Sequence, residues 1–204
     1  LATDTPPPDW HVDRSPAEDL PVLVLFDGWN SFFRQRVVPW RIAMADKTRA
    51  QLEDELLPRY MRRQRWFDGD AAALARVRLL DHALLGGAPR EWLLALLGTE
   101  PAAAGAPRWF LPLAIAFEDD DEERHRALAP VAVSRVRQQA AVGVLADAMG
   151  DEAFCRALVD AIGAARELRC EHGRLHFVPG WVFAAVTGDA LAGDARVAGA
   201  TFTG

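Results

Sequence analysis

Three apolar segments, Arg76 to Ala83, Glu91 to Gly98 and Arg108 to Phe117, are held apart by turn formers: Gly86-Gly87-Ala88-Pro89 between the first two, and Glu100 to Pro107 between the second two. Short apolar runs bounded by residues that break helices and fix turns read as adjacent antiparallel strands, so this region predicts a meander. The middle run, Trp92-Leu93-Leu94-Ala95-Leu96-Leu97, is ambiguous by itself. Its helix propensity is high, and a continuous apolar run has no period that separates helix from strand. Its length between turns and its two strand-like neighbours predict a strand. Pro112, inside the third run, lacks an amide donor and predicts an edge position or a bulge.

On either side of the meander the chain changes character. Residues 1 to 20 hold Pro6-Pro7-Pro8, Pro16 and scattered acids, too little apolar surface to bury, and read as an extended lead-in. Val22-Leu23-Val24-Leu25-Phe26, stopped by Asp27-Gly28, reads as a short buried strand without an obvious partner. From Asp46, an N-cap candidate, the stretch Lys47 to Leu57 places Leu52, Leu56, Leu57, Tyr60 and Met61 on one helical face. Pro58 predicts a break or kink there, with a restart through Arg65.

Glu118-Asp119-Asp120-Asp121-Glu122-Glu123 repels itself and reads as an exposed loop that marks a domain boundary. It lacks the alternating ligands and central Gly of a calcium loop. Beyond it, Val131 to Arg137 and Ala141 to Ala146 are strand candidates. Asp151 caps a helix running to Glu167, with Phe154, Leu158, Val159 and Ile162 on its apolar stripe. Leu175 to Val178 and Trp181 to Val186 are short elements around Pro179-Gly180. The expected class is α+β, with a small antiparallel sheet and flanking helices in each of two subdomains. The expected limits are 1–45 for the lead-in, 46–118 for the first subdomain and 119–204 for the second.

Half the residues are apolar and a quarter charged, a globular composition. No run of about 18 uncharged apolar residues exists, and the first residues have neither the basic nor the apolar part of a signal peptide, so the expectation is a cytoplasmic protein with no membrane partner. Leu1 in place of Met points to a piece of a longer chain. Cys155 and Cys170, 15 positions apart with no CxxC, read as reduced thiols. The net charge of −6 disfavours polyanions. The cluster Arg59, Arg62, Arg63 and Arg65 therefore reads as a helix face, solvated or pairing with Glu53, Asp54 and Glu55, rather than as a nucleic-acid patch.

The stretch Leu57-Pro58-Arg59-Tyr60-Met61-Arg62-Arg63-Gln64-Arg65-Trp66-Phe67-Asp68-Gly69 resembles the entrance segment of bacterial maltokinases, in which a Gln-Arg-Trp-(Phe/Tyr) run opens an N-terminal cap. The likeness continues collinearly through Leu111 to Ala114, Ser134 to Arg137, Gly143 to Ala148, the helix with Phe154, and Gly173 to Phe177. The resemblance implies that Gln64, Arg65, Trp66 and Phe67 are a structural signature, with Trp66 anchoring the cap helix on the sheet or, alternatively, stacking a sugar. Arg65 would pair with a carboxylate or cap a helix. The family has Lys or Arg after this turn, where Asp70 stands here. The resemblance implies a parent that phosphorylates maltose with ATP and magnesium. The lead-in from Pro21 to Trp29 is similar to the junction behind a fused trehalose synthase domain. That domain and the following kinase lobes would be the partners, and a homo-oligomer is allowed.

Phosphoryl transfer needs amides or a Lys for phosphates and carboxylates for magnesium and for the acceptor hydroxyl. The chain has no GxxxxGK[ST], GxGxxG or GxSxG motif, and Lys47 is its single lysine. Glu171-His172-Gly173-Arg174-Leu175-His176 is similar to the His-Gly-Asp-Leu-His catalytic loop of aminoglycoside-phosphotransferase-like kinases. Arg174, however, replaces the base and stays protonated. Cys170, His172 and His176 lack a fourth ligand for zinc. His11, His82 and His125 are scattered, and His82 reads as packed or edge-exposed. No catalytic, cofactor-binding or metal-binding residue is therefore expected. The competing reading is a self-contained module that binds carbohydrate or protein through Trp29, Trp40 and Trp66.

Overall fold

The computed structural model describes residues 20–25, 40, 43–67, 74–87, 89–100, 106–180, 183 and 199–203. Residues 1–19 of the expected lead-in and most of Trp181 to Val186 lie outside them. The class is α+β, as expected. Strand β1 (Val22–Leu25) is followed by helix α1 (Asp46–Gln51), a π-helical turn (Leu52–Leu56) and helix α2 (Leu57–Met61). Strands β2 (Arg76–Gly87), β3 (Arg90–Glu100) and β4 (Trp109–Phe117) come next, then α3 (Glu122–Leu128), β5 (Ala132–Gln138) and β6 (Ala141–Asp147). Helix α4 (Glu152–Gly163) leads to β7 (Glu167–Arg169), β8 (Arg174–Val178) and β9 (Gly199–Thr203).

The meander forms as predicted, with the ambiguous middle run a strand. Gly86, at φ 93°, closes the first hairpin in a conformation that glycine adopts without strain. Six strands lie in the order β1-β5-β6-β4-β3-β2, and β7-β8-β9 form a separate small sheet. Strand β4 pairs with β3 on one side and with β6 on the other, from Leu113↔Asp147 to Phe117↔Gly143. Pro112 is therefore neither at an edge nor in a bulge, contrary to expectation: it is paired in register with Leu94 of β3 in an interior strand, and the fold accommodates it because it lies one residue outside the β6 ladder.

This pairing corrects the expected boundary at 118/119. The acidic block is a turn inside one continuous sheet, because β4 and β6 on its two sides are hydrogen-bonded neighbours. Only Glu118 to Asp120 form the turn; Asp121 caps α3 by accepting from the Arg124 amide at 3.0 Å. The lead-in assignment of 1–45 is likewise corrected, since Val22 to Leu25 add a strand parallel to β5 with Leu23 and Leu25 fully buried.

Both faces of the large sheet are covered. Trp40, Leu56, Leu57, Tyr60 and Met61 pack with Leu93, Leu97, Leu111 and Leu145 on one face. Phe154, Ala161, Leu175 and Phe177 pack with Trp92, Leu94, Ala114 and Val144 on the other. A register shift between Leu79 and Asp81 lets β2 serve both. Before it Val77 and Leu79 join the first core; after it Ala83 and Leu85 join the second, as a one-residue slip in a period-two element requires.

The helices depart from expectation at their ends. Ala45, with extended backbone and no capping side chain, precedes α1, and Asp46 is the first helical residue. Pro58 neither breaks nor ends the helix. In the π turn ahead of it the Leu57 amide reaches back to the Leu52 carbonyl, and the wider turn accommodates a ring that would crowd the Asp54 carbonyl of a regular α-helix. Helix α2 stops at Met61 rather than Arg65.

Helix α4 keeps the predicted Asp151 cap, which accepts from Ala153 at 3.0 Å, but ends at Gly163 rather than Glu167. The Arg166 amide bonds to the Ala161 carbonyl and the Ala165 amide to Ile162, each at 3.0 Å, with Ala165 at φ 47°. This is a Schellman ending with alanine in the left-handed position that glycine usually takes. Substituting A165G should stabilise the protein by about 1 kcal/mol, since the left-handed conformation costs an L-residue about that much. A urea melt checks it.

Candidate functional site

The signature run is divided by the early end of α2. Phe67, not Trp66, reaches the sheet: its ring lies 5.3 Å from that of Trp109. Trp66 is 40% exposed, which corrects its expected anchoring role. Gln64 is half-buried, with its side-chain amide 3.4 Å from the Tyr60 carbonyl. Arg65 is exposed and has no ion pair among the described residues. Trp40 is buried and donates to the Glu91 carbonyl at 3.0 Å, so it cannot serve as a binding platform. Trp29 lies outside the described residues.

Two of the three acids expected to face the arginine cluster, Glu53 and Asp54, face β2 instead. Glu53 is 5% exposed and accepts from the Leu79 amide at 3.0 Å, Arg49 at 3.2 Å and Arg78 at 2.9 Å. Arg49 in turn donates to the Leu79 carbonyl at 2.7 Å. One Arg and one Glu thus occupy the amide and the carbonyl of Leu79 on an edge strand. Asp54 pairs with Arg76, which also meets Glu100 at 3.4 Å.

The same edge receives the turn before β8. Glu171 donates its amide to the His82 carbonyl at 3.2 Å, and Asp81, buried, accepts from the His172 amide at 3.1 Å. The Glu171 carboxylate meets Arg49 at 3.0 Å and lies 3.3 Å from His82 Nδ1, which makes no hydrogen bond. Burial pushes the His82 imidazole down, with Arg49 and His172 acting in the same direction and Glu171 and Asp81 opposing.

The His-Gly-Arg-Leu-His likeness therefore lies in a docking turn and a strand. Leu175 and Phe177 enter the core. Arg174 and His176 both meet Glu167, at 2.6 and 3.2 Å, across the β7–β8 pair. Burial, with the nearby Asp81 charge, pushes the Cys170 thiol up to about 11, away from thiolate chemistry at neutral pH. Cys155 is also a free thiol. Among the described residues no three His, Cys, Asp or Glu side chains are placed to hold one metal ion.

A second polar centre escaped sequence reasoning. The Asp151 carboxylate takes Trp92 Nε1 at 2.9 Å and Arg124 Nε at 2.8 Å through one oxygen, while the other caps α4. Burial raises this carboxyl, but the Trp92 and Arg124 hydrogen bonds, the Arg124 charge and the Ala153 amide outweigh it and hold the group below the ordinary carboxylate range. A third contact ties α2 to β6, where the Tyr60 hydroxyl lies 3.2 Å from Asp147. Burial pushes both groups up, and for Tyr60 the Asp147 charge adds to the effect. Only the capping role of Asp151 had a local signal. Its partners stand 59 and 27 positions away.

These charged groups hold elements to one another in a sheet covered on both faces and closed by side chains along its β2 edge. Residues 60–151 match the family described as the maltokinase N-terminal cap domain, and the chain carries such a domain over that stretch. The match begins at Tyr60, ends at the Asp151 hub and runs through the acidic turn. No curated protein and no solved structure matches the chain.

Two outcomes follow from the polar centres. D151A strands Arg124 and Trp92 and removes the α4 cap, and should cost about 3 kcal/mol or more in a denaturant melt. His82, whose pKa in the fold is below its ordinary 6.5, binds fewer protons when folded than when unfolded. Its contribution is therefore fully present above pH 6.5 and is lost as pH falls through the lowered value. Melting curves of wild type should show this slope, and H82Q should lack it.

Proposed function

We propose that this chain is the non-catalytic cap and intermediate portion of a maltokinase. In this reading the parent transfers the γ-phosphoryl group of ATP to maltose, giving maltose 1-phosphate, and a trehalose synthase domain precedes the cap. The observation that carries the reading is the family match over 60–151, which covers β2 to β6. The engagement of Arg49, Glu53, Arg124 and Asp151 in interior contacts supports a supporting role for this part. Magnesium and nucleotide would be held by carboxylates and amides of the following lobes, the groups that phosphoryl transfer requires. A cytoplasmic setting fits the two free thiols. No described helix is long and apolar enough to cross a membrane.

The cap would act by presenting a rigid body to the kinase lobes, and its polar hubs would set that rigidity. The purified chain, given ATP, magnesium and maltose, should release no maltose-dependent ADP; turnover would defeat this division of labour. In the parent, E53Q should lower the melting temperature while kcat/KM for maltose and ATP stays within about twofold, because the residue touches neither substrate.

The exposed indole of Trp66 favours a second reading, a module that binds carbohydrate or protein. Titration with maltose while following tryptophan fluorescence separates the two. A saturable change abolished by W66A supports the module, and a flat response supports the structural cap.

A further inference from the structure

Most of the charged side chains along the large sheet are answered within the chain. Arg49, Arg76, Arg78, Arg90 and Arg124 each meet a carboxylate at or near the sheet. Two of the surfaces that are not so answered carry opposite sign. At the start of β4, Arg63, Arg65 and Arg108 are exposed and have no ion pair among the described residues. Arg63 and Arg65 stand just before the exposed Trp66 in the chain, and the Phe67–Trp109 contact brings that turn to the end of β4 that Arg108 precedes. At the other end, Glu118 and Asp119 directly follow Phe117, are exposed, and likewise have no ion pair among the described residues.

The geometry prevents the two sets from neutralising each other within one molecule. Strand β4 is nine residues long. At about 3.3 Å per residue its ends stand roughly 26 Å apart, between two and three Debye lengths at 0.1 M salt. At that distance each end acts on its surroundings independently, and the net charge of −6 is screened except where opposite charges come into contact. Arginines around an exposed tryptophan are the composition of a binding centre, with an apolar body and an N–H donor set among fixed cations. The anion it calls for is present on the chain itself.

We propose that two copies of this chain associate head to tail, the arginine and tryptophan surface beside Trp109 of one copy receiving the Glu118-Asp119 turn of the next. Such a contact is heterologous, joining different patches, so it leaves one patch of each kind free at the ends of any open assembly. It is weak and salt-sensitive, because the charges lie at the surface.

Sedimentation of the whole chain tests it. The weight-average mass of wild type should rise with concentration at low ionic strength and return to that of one chain on adding salt. R63A/R65A and E118Q/D119N, which neutralise one patch without reversing it, should each remain single chains. An equal mixture of the two should give the mass of two chains, since one variant keeps the acidic end and the other the basic end, and neither can extend further. Unchanged melting temperatures of both variants establish that these exposed substitutions leave the fold intact. A wild type that stays at single-chain mass at low salt overturns the proposal, as does a mixture that does not pair. A salt-dependent affinity for a DNA oligomer that R63A/R65A loses, with no pairing in the mixture, would make the patch a polyanion site and also overturn it.

Discussion

An edge strand exposes a row of unpaired amides and carbonyls, and a sheet buried on both faces cannot bend that row away without disturbing two cores. Strand β2 resolves this with side chains. Glu53 takes the Leu79 amide and Arg49 the Leu79 carbonyl, so two residues of the preceding helix occupy the position of a neighbouring strand. The next residues are covered by backbone from the turn before β8, through Glu171 to His82 and His172 to Asp81. The π turn and the bulge belong to the same solution. The π turn carries Glu53, and the bulge at Leu80 turns the rest of β2 toward the second core. Together with the Asp54–Arg76 pair, this cover joins the helical layer, the large sheet and the small sheet along that edge.

What the sequence reveals is what local chemistry encodes. Gly86 and Pro89 bracket a hairpin whatever lies around them, and the flanking turns decide that the Trp92 run is a strand despite its helix propensity. Asp151 before a 3.6-period stripe marks a helix start. The opposite end of that helix was not legible, because Ala165 occupies the left-handed position and offers none of the signal that a glycine would. Trp66 and Phe67 are adjacent, and which of them faces the sheet depends on whether α2 ends at Met61 or at Arg65. A few residues of helix decide that, and the helix end is set by tertiary packing.

The acidic block misled for a physical reason of the same kind. Six successive carboxylates report that a segment is exposed, and the turn from Glu118 to Asp120 is exposed. They carry no information about what the strands on either side do. The pairing of Leu113 with Asp147 joins residues 34 positions apart, and no periodicity in either strand records its partner. An exposed turn is compatible with a linker or with a crossing between neighbours in one sheet, and composition is the same in both. The candidate site had the same limit: Glu171 meets Arg49 across 122 positions, a pairing that only the folded sheet brings about.

The two buried carboxylate hubs are not equivalent. Glu53 binds two arginines that are themselves partly exposed, so water can replace part of what it loses if one is removed. Asp151 binds Arg124, which is only 12% exposed, and the indole of Trp92, which is buried. An uncompensated guanidinium at that depth is costly, whereas a surface pair is worth about 1 kcal/mol or less. The asymmetry follows the architecture. The edge is closed by several shared contacts, each replaceable, while the second core is locked at one point where β3, α3 and α4 meet. A fold built this way tolerates variation along β2 more readily than at Asp151, where one carboxylate holds the indole of β3, the guanidinium of α3 and the first turn of α4 together.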